Sequence, residues 1–262
     1  MLDLDSALSV AVEAAKAAGE VLKNNFKQPL TIRTKRTPRD LVTQVDHEAQ
    51  AVVVKILSEA FPDHRFLTEE LGAEELGNIA SPYLWIVDPL DGTTNYVHGK
   101  TLCGTCIALQ ENDMTVLGVM FNTFTNMLFT GIRGQGACWN GKRITHLRST
   151  RDLYDAILCT NMASRAGSTD TVKRLEVPVC ASVQNYGCAM EEIAAVLRGE
   201  NDGVFFDGVG LWDVAAGCLL IEEAGGLSRT EFKDPADPRK GVRCVASTKP
   251  IFDDLCDFVW KQ

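Results

Sequence analysis

Apolar residues recur every three or four positions in two N-terminal segments, which is the spacing of one face of an α-helix. In the first segment these positions are Leu4, Leu8, Ala11, Ala15, Ala18 and Leu22. In the second segment they are Val45, Ala49, Val52, Ile56 and Ala60. We predict that the first helix ends near Asn25 and has Asp3 or Asp5 as its N-cap. Thr43 is the natural N-cap of the second helix, and Pro62 ends it.

The pattern changes to β-rich segments in the middle of the chain. Segments 102–110, 115–122 and 127–132 contain many β-branched and aromatic residues and are separated by short polar turns. A short strand is expected at 30–34, and the pair Asn140-Gly141 favours a tight hairpin. Strands with such short links pair antiparallel. Residues 1–150 are therefore predicted to pack helices on a mostly antiparallel sheet.

Strand and helix patterns alternate in the second half of the chain. The predicted strands are 156–160, 177–183, 203–206 and 242–247, and the predicted helices are 170–175, 188–198, 211–224 and 251–260. This alternation predicts a second sheet between helices within residues 151–262. Because no segment has the composition of a flexible linker, we expect residues 1–262 to form a single domain.

Candidate chemistry is concentrated where a buried strand, Trp85 to Val87, is predicted to end. Asp88 and Asp91 follow it, and the pair Asp91-Gly92 indicates a turn. The next residues, Thr93 and Thr94, could open a short helix whose free N–H groups attract an anion. Two carboxylates beside such a turn are suited to holding metal ions against a phosphate.

Composition narrows the function classes. The chain has 262 residues with 45% hydrophobic and 23% charged, which is typical of a soluble globular protein. A formal net charge of −9 argues against nucleic-acid binding through a basic surface. No apolar run reaches membrane-spanning length, and the N-terminus lacks the basic start of a signal peptide. Nine scattered cysteines, an odd number, favour a reducing cytoplasmic location.

Residues 88–95, Asp-Pro-Leu-Asp-Gly-Thr-Thr-Asn, resemble the metal-binding signature of the inositol monophosphatase family. Two more segments are similar to family motifs: 40–46, Asp-Leu-Val-Thr-Gln-Val-Asp, and 212–217, Trp-Asp-Val-Ala-Ala-Gly. The resemblance covers nearly the whole chain. It implies an α+β/α/β layered sandwich (α-β-α-β-α), like that of inositol monophosphatases and fructose-1,6-bisphosphatases. It also implies a homodimer inhibited by lithium.

The resemblance assigns roles to several polar residues. The expected metal ligands are Glu69, Asp88, the Leu90 carbonyl, Asp91 and Asp213. Because every donor is an oxygen, the site favours two or three Mg²⁺ ions, with Mn²⁺ as the alternative, over zinc. The expected catalytic residues are Thr93, which orients the attacking water, Asp46, which assists it, and Glu69. The reaction that suits this set is hydrolysis of a phosphate monoester by metal-activated water.

The substrate is expected to be a small phosphorylated polyol or sugar, with inositol monophosphate as the first candidate. The expected substrate contacts are Asp91, Gly92, Thr93, Gly187, Cys188, Ala189, Asp207 and Asp213. Two positions depart from the family pattern. Gln184 stands where the family has an Arg, and Phe206 stands where it has an acidic residue, with Asp207 one step away. Fructose-1,6-bisphosphatase and histidinol-phosphate phosphatase activities therefore remain alternatives.

Two further hypotheses come from other classes. The chain could be a non-catalytic family member that acts through protein contacts, although it keeps every expected ligand and Thr93. It could also be a redox sensor, because Cys103 and Cys106 form a C-x-x-C pair. That pair has no second pair or histidine cluster to complete a zinc site.

Overall fold

The structure is a computed structural model that describes residues 2–35, 40–70, 76–148, 150–161, 179–235 and 240–260. The helices of these residues are α1 Leu4–Asn25, α2 Gln44–Ala60, α3 Thr93–Val97, α4 Ala189–Leu197, α5 Leu211–Glu223 and α6 Lys249–Trp260. Helix α1 begins as predicted, because the Asp3 carboxylate accepts from the backbone N–H groups of Asp5 and Ser6. Thr43 caps α2 and forms a capping box with Asp46.

The first sheet has eight strands in the order β10-β9-β8-β7-β6-β5-β3-β4. These strands are β3 Arg65–Thr68, β4 Leu76–Gly77, β5 Tyr83–Asp91, β6 Gly104–Glu111, β7 Met114–Asn122, β8 Met127–Ile132, β9 Gly136–Trp139 and β10 Lys142–Arg143. Among the strands of the described residues in this sheet, β3 and β5 form the single parallel pair, so the sheet is mostly antiparallel as predicted. A separate hairpin, β1 Ile32–Thr34 with β2 Leu41–Thr43, precedes α2.

The second sheet has five strands in the order β12-β11-β13-β15-β14. They are β11 Ile157–Thr160, β12 Ser182–Gln184, β13 Gly203–Val209, β14 Leu227–Phe232 and β15 Val242–Ser247. β12, β11 and β13 run parallel, whereas β15 pairs antiparallel with both β13 and β14. The sheet is therefore mixed.

The described residues form three hydrophobic cores, which lie between the layers. Helices α1 and α2 pack on one face of the first sheet. Helices α4 and α5 fill the space between the two sheets, and α6 covers the outer face of the second sheet. This confirms the predicted α-β-α-β-α sandwich. Among the described residues, no helix combines the length and the apolar character that crossing a bilayer requires.

The structure differs from the sequence prediction at the end of β5 and by the presence of β14. Strand β5 does not end at Val87 but continues through Pro89 to Asp91, because its pairing with β6 shifts register between Asp88 and Asp91. A proline that interrupts the ladder at such an irregularity costs no hydrogen bond. Strand β14 was not predicted, because the edge strand is largely exposed and carries no apolar alternation. The predicted helix 170–175 lies outside the described residues, and of the predicted strand 177–183 only the end belongs to β12.

Candidate active site

The site is built around the junction between β5 and α3. Gly92 connects them with φ +87°, a left-handed conformation that favours glycine. A Cβ at Gly92 would lie 2.9 Å from the Leu102 carbonyl oxygen, so the turn also lacks room for a side chain. Asp88 and Asp91 are thereby fixed on a buried strand, and Thr93 begins the next element.

Three carboxylates from distant parts of the chain converge at this junction. One oxygen each of Glu69, Asp88 and Asp213 lies within 4.8 Å of the others. Asp88 is buried, and its Oδ2 has no hydrogen-bond partner among the described residues. Burial, reinforced by the charges of Glu69, Asp91 and Asp213, raises the pKa of Asp88 well above its usual range. A buried oxygen without a partner, among like charges, is suited to binding a cation.

Asp91 is oriented by the start of α4. Its Oδ2 accepts from the Met190 backbone N–H and, at 3.3 Å, from the Cys188 thiol. Burial and the nearby Asp213 raise the pKa of Asp91 to about 7. The start of α4, in the second half of the chain, therefore holds one oxygen of Asp91, which belongs to the first half.

Lys35 is a positive charge in direct contact with Glu69, one of the three converging carboxylates. Its Nζ lies 2.8 Å from Glu69 Oε1 and 2.6 Å from Glu70 Oε1. Burial alone would lower the pKa of Lys35, but the two carboxylates outweigh it and raise that pKa. The sequence analysis does not identify Lys35 as a site residue, because its contact with Glu69 depends on the tertiary structure.

Thr93 and Asp46 are in contact, as expected from the resemblance. Thr93 Oγ1 lies 2.9 Å from Asp46 Oδ1 and 3.1 Å from the Leu90 carbonyl oxygen. The other Asp46 oxygen accepts from the Thr43 backbone N–H at 2.8 Å and from the Thr43 hydroxyl at 2.5 Å. Burial raises the pKa of Asp46, although these hydrogen bonds oppose the shift. The capping box of α2 therefore also fixes the group that faces Thr93.

A cavity of about 270 Å³ opens over the acidic cluster that Glu69, Asp88 and Asp213 form. The predicted site residues that line it are Glu69, Asp88, Leu90, Asp91, Gly92, Thr93, Gly187, Cys188, Ala189 and Asp213. Asp46 does not line the cavity, but it accepts a hydrogen bond from Thr93, which does. The sequence did not indicate a site role for seven other lining residues, Asp40, Leu41, Thr94, Asn161, Asn185, Glu192 and Val209. Asp40 and Leu41 lie within the segment 40–46 that resembles the family, whereas Glu192 carries no local signal.

Asp207, which the resemblance predicts as a substrate contact, does not line the cavity. Successive residues of β13 point to opposite faces, so Phe206 borders the cavity and Asp207 does not. The Asp207 carboxylate pairs instead with Lys233 at 2.9 Å and Arg243 at 3.5 Å. Asp207 points to the opposite face from Phe206, so an acidic group at the position of Phe206 would require a one-residue shift of the strand.

Gln184 also lies away from the cavity. Its Oε1 accepts from the Tyr186 hydroxyl at 2.6 Å and from Asn201 Nδ2 at 3.2 Å. Gln184, which departs from the family pattern, therefore supports the loop that leads to Gly187 and does not line the cavity.

The C-x-x-C pair is not arranged for exchange between its two thiols. Cys103 packs into the core beneath α1 and α2, whereas Cys106 packs into the core between the sheets. Burial raises the pKa of Cys103 to about 12 and that of Cys106 well above its usual value. Both thiols therefore lack the accessible thiolate of a redox sensor.

Comparison with known proteins connects this geometry to a family. A family model described as "Inositol monophosphatase family" matches residues 3–261. An "Inositol monophosphatase" from Mesembryanthemum crystallinum is 34% identical over 272 residues, covering 99% of this chain and 97% of that protein. The "Nus factor SuhB" of Escherichia coli (strain K12) is 36% identical over 226 residues, covering 84% of this chain and 83% of that protein.

Solved structures share the fold. The "extragenic suppressor protein suhB" of Bartonella henselae superposes with a TM-score of 0.85 at 32% identity, covering 98% of this chain and 99% of that chain. A structure of an "IMPase/NADP phosphatase complexed with Mg2+ and phosphate" has a TM-score of 0.82 at 26% identity, covering 99% of this chain and 97% of that one.

Proposed function

The chain belongs to the inositol monophosphatase family, which makes it a phosphatase, and we propose that it hydrolyses small phosphate monoesters with Mg²⁺ as its cofactor. The observation that carries the proposal is the convergence of Glu69, Asp88 and Asp213 within 4.8 Å at the base of a cavity. Mg²⁺ bound by such carboxylates is common in phosphate chemistry. A relative of similar fold was solved with Mg²⁺ and phosphate, which supports the assignment.

The residues present fit a hard divalent cation. All the candidate donors are oxygens, and Asp88 Oδ2 is buried without a hydrogen-bond partner among the described residues. We propose that Glu69, Asp88, Asp91 and Asp213, with the Leu90 carbonyl, hold two or three Mg²⁺ ions, and that Mn²⁺ can replace them. When bound, Mg²⁺ lowers the pKa of water and offsets charge on the phosphate and the leaving oxygen.

Thr93 and Asp46 are proposed to prepare the attacking water. The Thr93 hydroxyl carries one proton, and donating it to Asp46 Oδ1 leaves the Thr93 lone pairs free to accept from a water molecule. Asp46 is itself fixed by Thr43, so the hydroxyl is held in one orientation. Gly92 and Thr93 also line the cavity, and we propose that their backbone N–H groups bind phosphate oxygens.

The alcohol half of the substrate is proposed to be a small polyol or sugar. Inositol monophosphate is the first candidate, because family membership supports activity on inositol phosphate. Phe206 and Val209 border the cavity where a carboxylate would discriminate among hydroxyl patterns. We therefore expect a modest preference among small phosphomonoesters, with fructose 1,6-bisphosphate and histidinol phosphate as alternative substrates.

The deciding experiment measures phosphate release from inositol 1-phosphate, glycerol 2-phosphate, histidinol phosphate and fructose 1,6-bisphosphate. Each substrate is assayed with Mg²⁺, with Mn²⁺ and with a chelator, so that metal dependence and substrate choice are read together. We expect turnover of inositol 1-phosphate and loss of activity on chelation. Absence of turnover with all four substrates in Mg²⁺ would overturn the proposed function.

Lithium inhibition, a homodimer and a cytoplasmic location are further proposals that follow from the resemblance. Li⁺ is small and hard enough to enter an all-oxygen site, but it supplies half the charge of Mg²⁺. Activity that is insensitive to tens of millimolar Li⁺, an order-of-magnitude choice for weak hard-cation sites, would contradict the proposed lithium inhibition. Light scattering coupled to gel filtration tests whether the protein is a homodimer. Fractionation of the source cells tests whether it is cytoplasmic.

A second candidate function is a role through protein contacts. It is favoured by a relative that is named a Nus factor and is 36% identical to this chain. The test is to express the wild type and Asp88→Asn in an Escherichia coli strain that lacks that relative. If both proteins bring the growth of that strain to the level of its parent strain, the shared role does not need hydrolysis. If only the wild type does so, hydrolysis is required, and if neither protein changes growth, the second candidate function is contradicted.

A further inference from the structure

Glu192 is a buried carboxyl group that borders the cavity without belonging to the proposed metal ligands. It lies on α4 and is 1% exposed. Its Oε1 accepts from the backbone N–H of Tyr186 at 2.7 Å and from that of Gly187 at 3.2 Å. One carboxyl oxygen thus holds two successive amides of the turn that forms the cavity wall.

The same turn is held from its other side by Asn95, a residue of α3. Asn95 Nδ2 donates to the Tyr186 carbonyl oxygen at 2.8 Å and to the Leu102 carbonyl oxygen at 2.9 Å. Gly187 has φ +71°, so the chain reverses sharply between the two contacts. The turn is consequently clamped between an element of the first half and an element of the second half.

The position of this turn determines how α4 meets Asp91. Directly after Gly187, the Cys188 thiol and the Met190 N–H both donate to Asp91 Oδ2. These two donors define the orientation of the carboxylate, leaving its other oxygen for a cation. Groups that orient metal ligands in this way typically affect metal affinity or activity by about 10–100-fold.

We propose that Glu192 is a positioning residue: it holds the Tyr186–Gly187 turn where α4 can fix Asp91, and it thereby sets the affinity of the acidic cluster for divalent cations. The inference rests on the proposed function, because the orientation of Asp91 matters only if the cluster binds a cation. Glu192 itself is not a ligand. Its effect passes through the turn and the start of α4.

The electrostatics of Glu192 are consistent with a clamp that does not need a charge. Burial raises the pKa of Glu192 to about 8, while the two amide donors oppose the shift and Asp91 adds to it. A neutral carboxyl group still accepts both hydrogen bonds through its carbonyl oxygen. A glutamine of the same length can therefore replace the clamp, whereas an aspartate keeps the charge but is one methylene too short.

The experiment compares Glu192→Gln with Glu192→Asp in the full chain. Mn²⁺ binding is measured without substrate from the electron paramagnetic resonance signal of free Mn²⁺, and KM and kcat are then measured for inositol 1-phosphate. We expect Glu192→Asp to weaken Mn²⁺ binding by about 10–100-fold. Glu192→Gln should stay within about threefold of the wild type, because its amide oxygen accepts the same two bonds.

Glu191→Asp is the matched control. Glu191 is the neighbouring buried carboxyl group on α4, and it accepts from Asn122 Nδ2 at 2.6 Å but does not line the cavity. This variant should lower the thermal midpoint and leave Mn²⁺ affinity unchanged. Equal Mn²⁺ affinity in wild type and Glu192→Asp would overturn the inference, and so would a Glu192→Gln variant as weak as Glu192→Asp. If the wild type binds no Mn²⁺, it is the proposed function that fails.

Discussion

At the scale of a single residue, Asp88 combines the features expected of a metal ligand. It is buried, and the charges of Glu69, Asp91 and Asp213 surround it. Asp88→Asn removes one of these like charges and one charged ligand. We expect loss of at least about 100-fold in kcat/KM at ordinary Mg²⁺, because removing a ligand should cost no less than removing a group that only orients one, which costs about 10–100-fold. Without metal, the variant should have a higher thermal midpoint than the wild type, which differential scanning calorimetry in chelator measures.

A decrease in the metal-free midpoint of Asp88→Asn would contradict the view that the empty cluster is electrostatically strained. Glu59→Gln provides the control, because it removes a carboxylate that is exposed on α2 and distant from the cavity. That variant should change neither the metal-free midpoint nor the activity.

The raised carboxyl pKa values predict how the stability of the metal-free protein depends on pH. The pKa values of Asp91 and Glu70 are raised to about 7 and about 8, mainly by burial. The folded state therefore binds more protons than the unfolded state, and stability falls as the pH rises from near 4 to near 8. We expect the thermal midpoint in chelator to decrease across this window. Saturating Mg²⁺ should reduce the dependence of the thermal midpoint on pH. A midpoint in chelator that rises between pH 5 and pH 8 would contradict the predicted decrease.

The start of α2 links the stability of an element to the site. Thr43 caps the helix and also donates to Asp46, which faces Thr93. Thr43→Ala should destabilise the protein by about 0.5–2 kcal/mol, the usual loss for an N-cap. It should also lower kcat, because Asp46 loses the hydroxyl, one of the two Thr43 donors that fix its carboxylate. Urea unfolding and steady-state kinetics measure the two effects.

The control for Thr43→Ala is Asp3→Ala, which removes the N-cap of α1. Asp3 does not line the cavity, so its loss should reduce stability by a similar amount and leave kcat unchanged. If both variants lower kcat equally, the effect of Thr43 is one of stability alone.

At the scale of the whole molecule, α4 and α5 share one core with both sheets. We therefore propose that residues 1–262 unfold as one domain, with 1–150 and 151–262 melting together. Tryptophan fluorescence can follow each half by itself: replacing Trp212 and Trp260 with Phe leaves probes only in the first half, and replacing Trp85 and Trp139 leaves them only in the second. Coincident urea transitions in the two variants are expected. Separated midpoints would show that the halves unfold independently.

The sequence determined the local structure of this protein, because helix periodicity, caps and turns depend on residues that are close together in the chain. It therefore predicted the bounds of α1 and α2, the three central strands β6, β7 and β8 and the turn at Gly92. The segment 88–95 also indicated where metal chemistry would be found, since Asp88, Asp91 and Thr93 are neighbours in sequence.

Only the tertiary structure decided which distant groups meet. Glu69 and Asp213 are 144 positions apart, and no local rule places their oxygens beside Asp88. Likewise, the strand phase of β13 turned Asp207 away from the cavity, and the packing of α4 brought Glu192 to its wall. The reason is physical: which face of an element is buried, and against what, depends on sheet register and helix packing, which are long-range properties of the whole core.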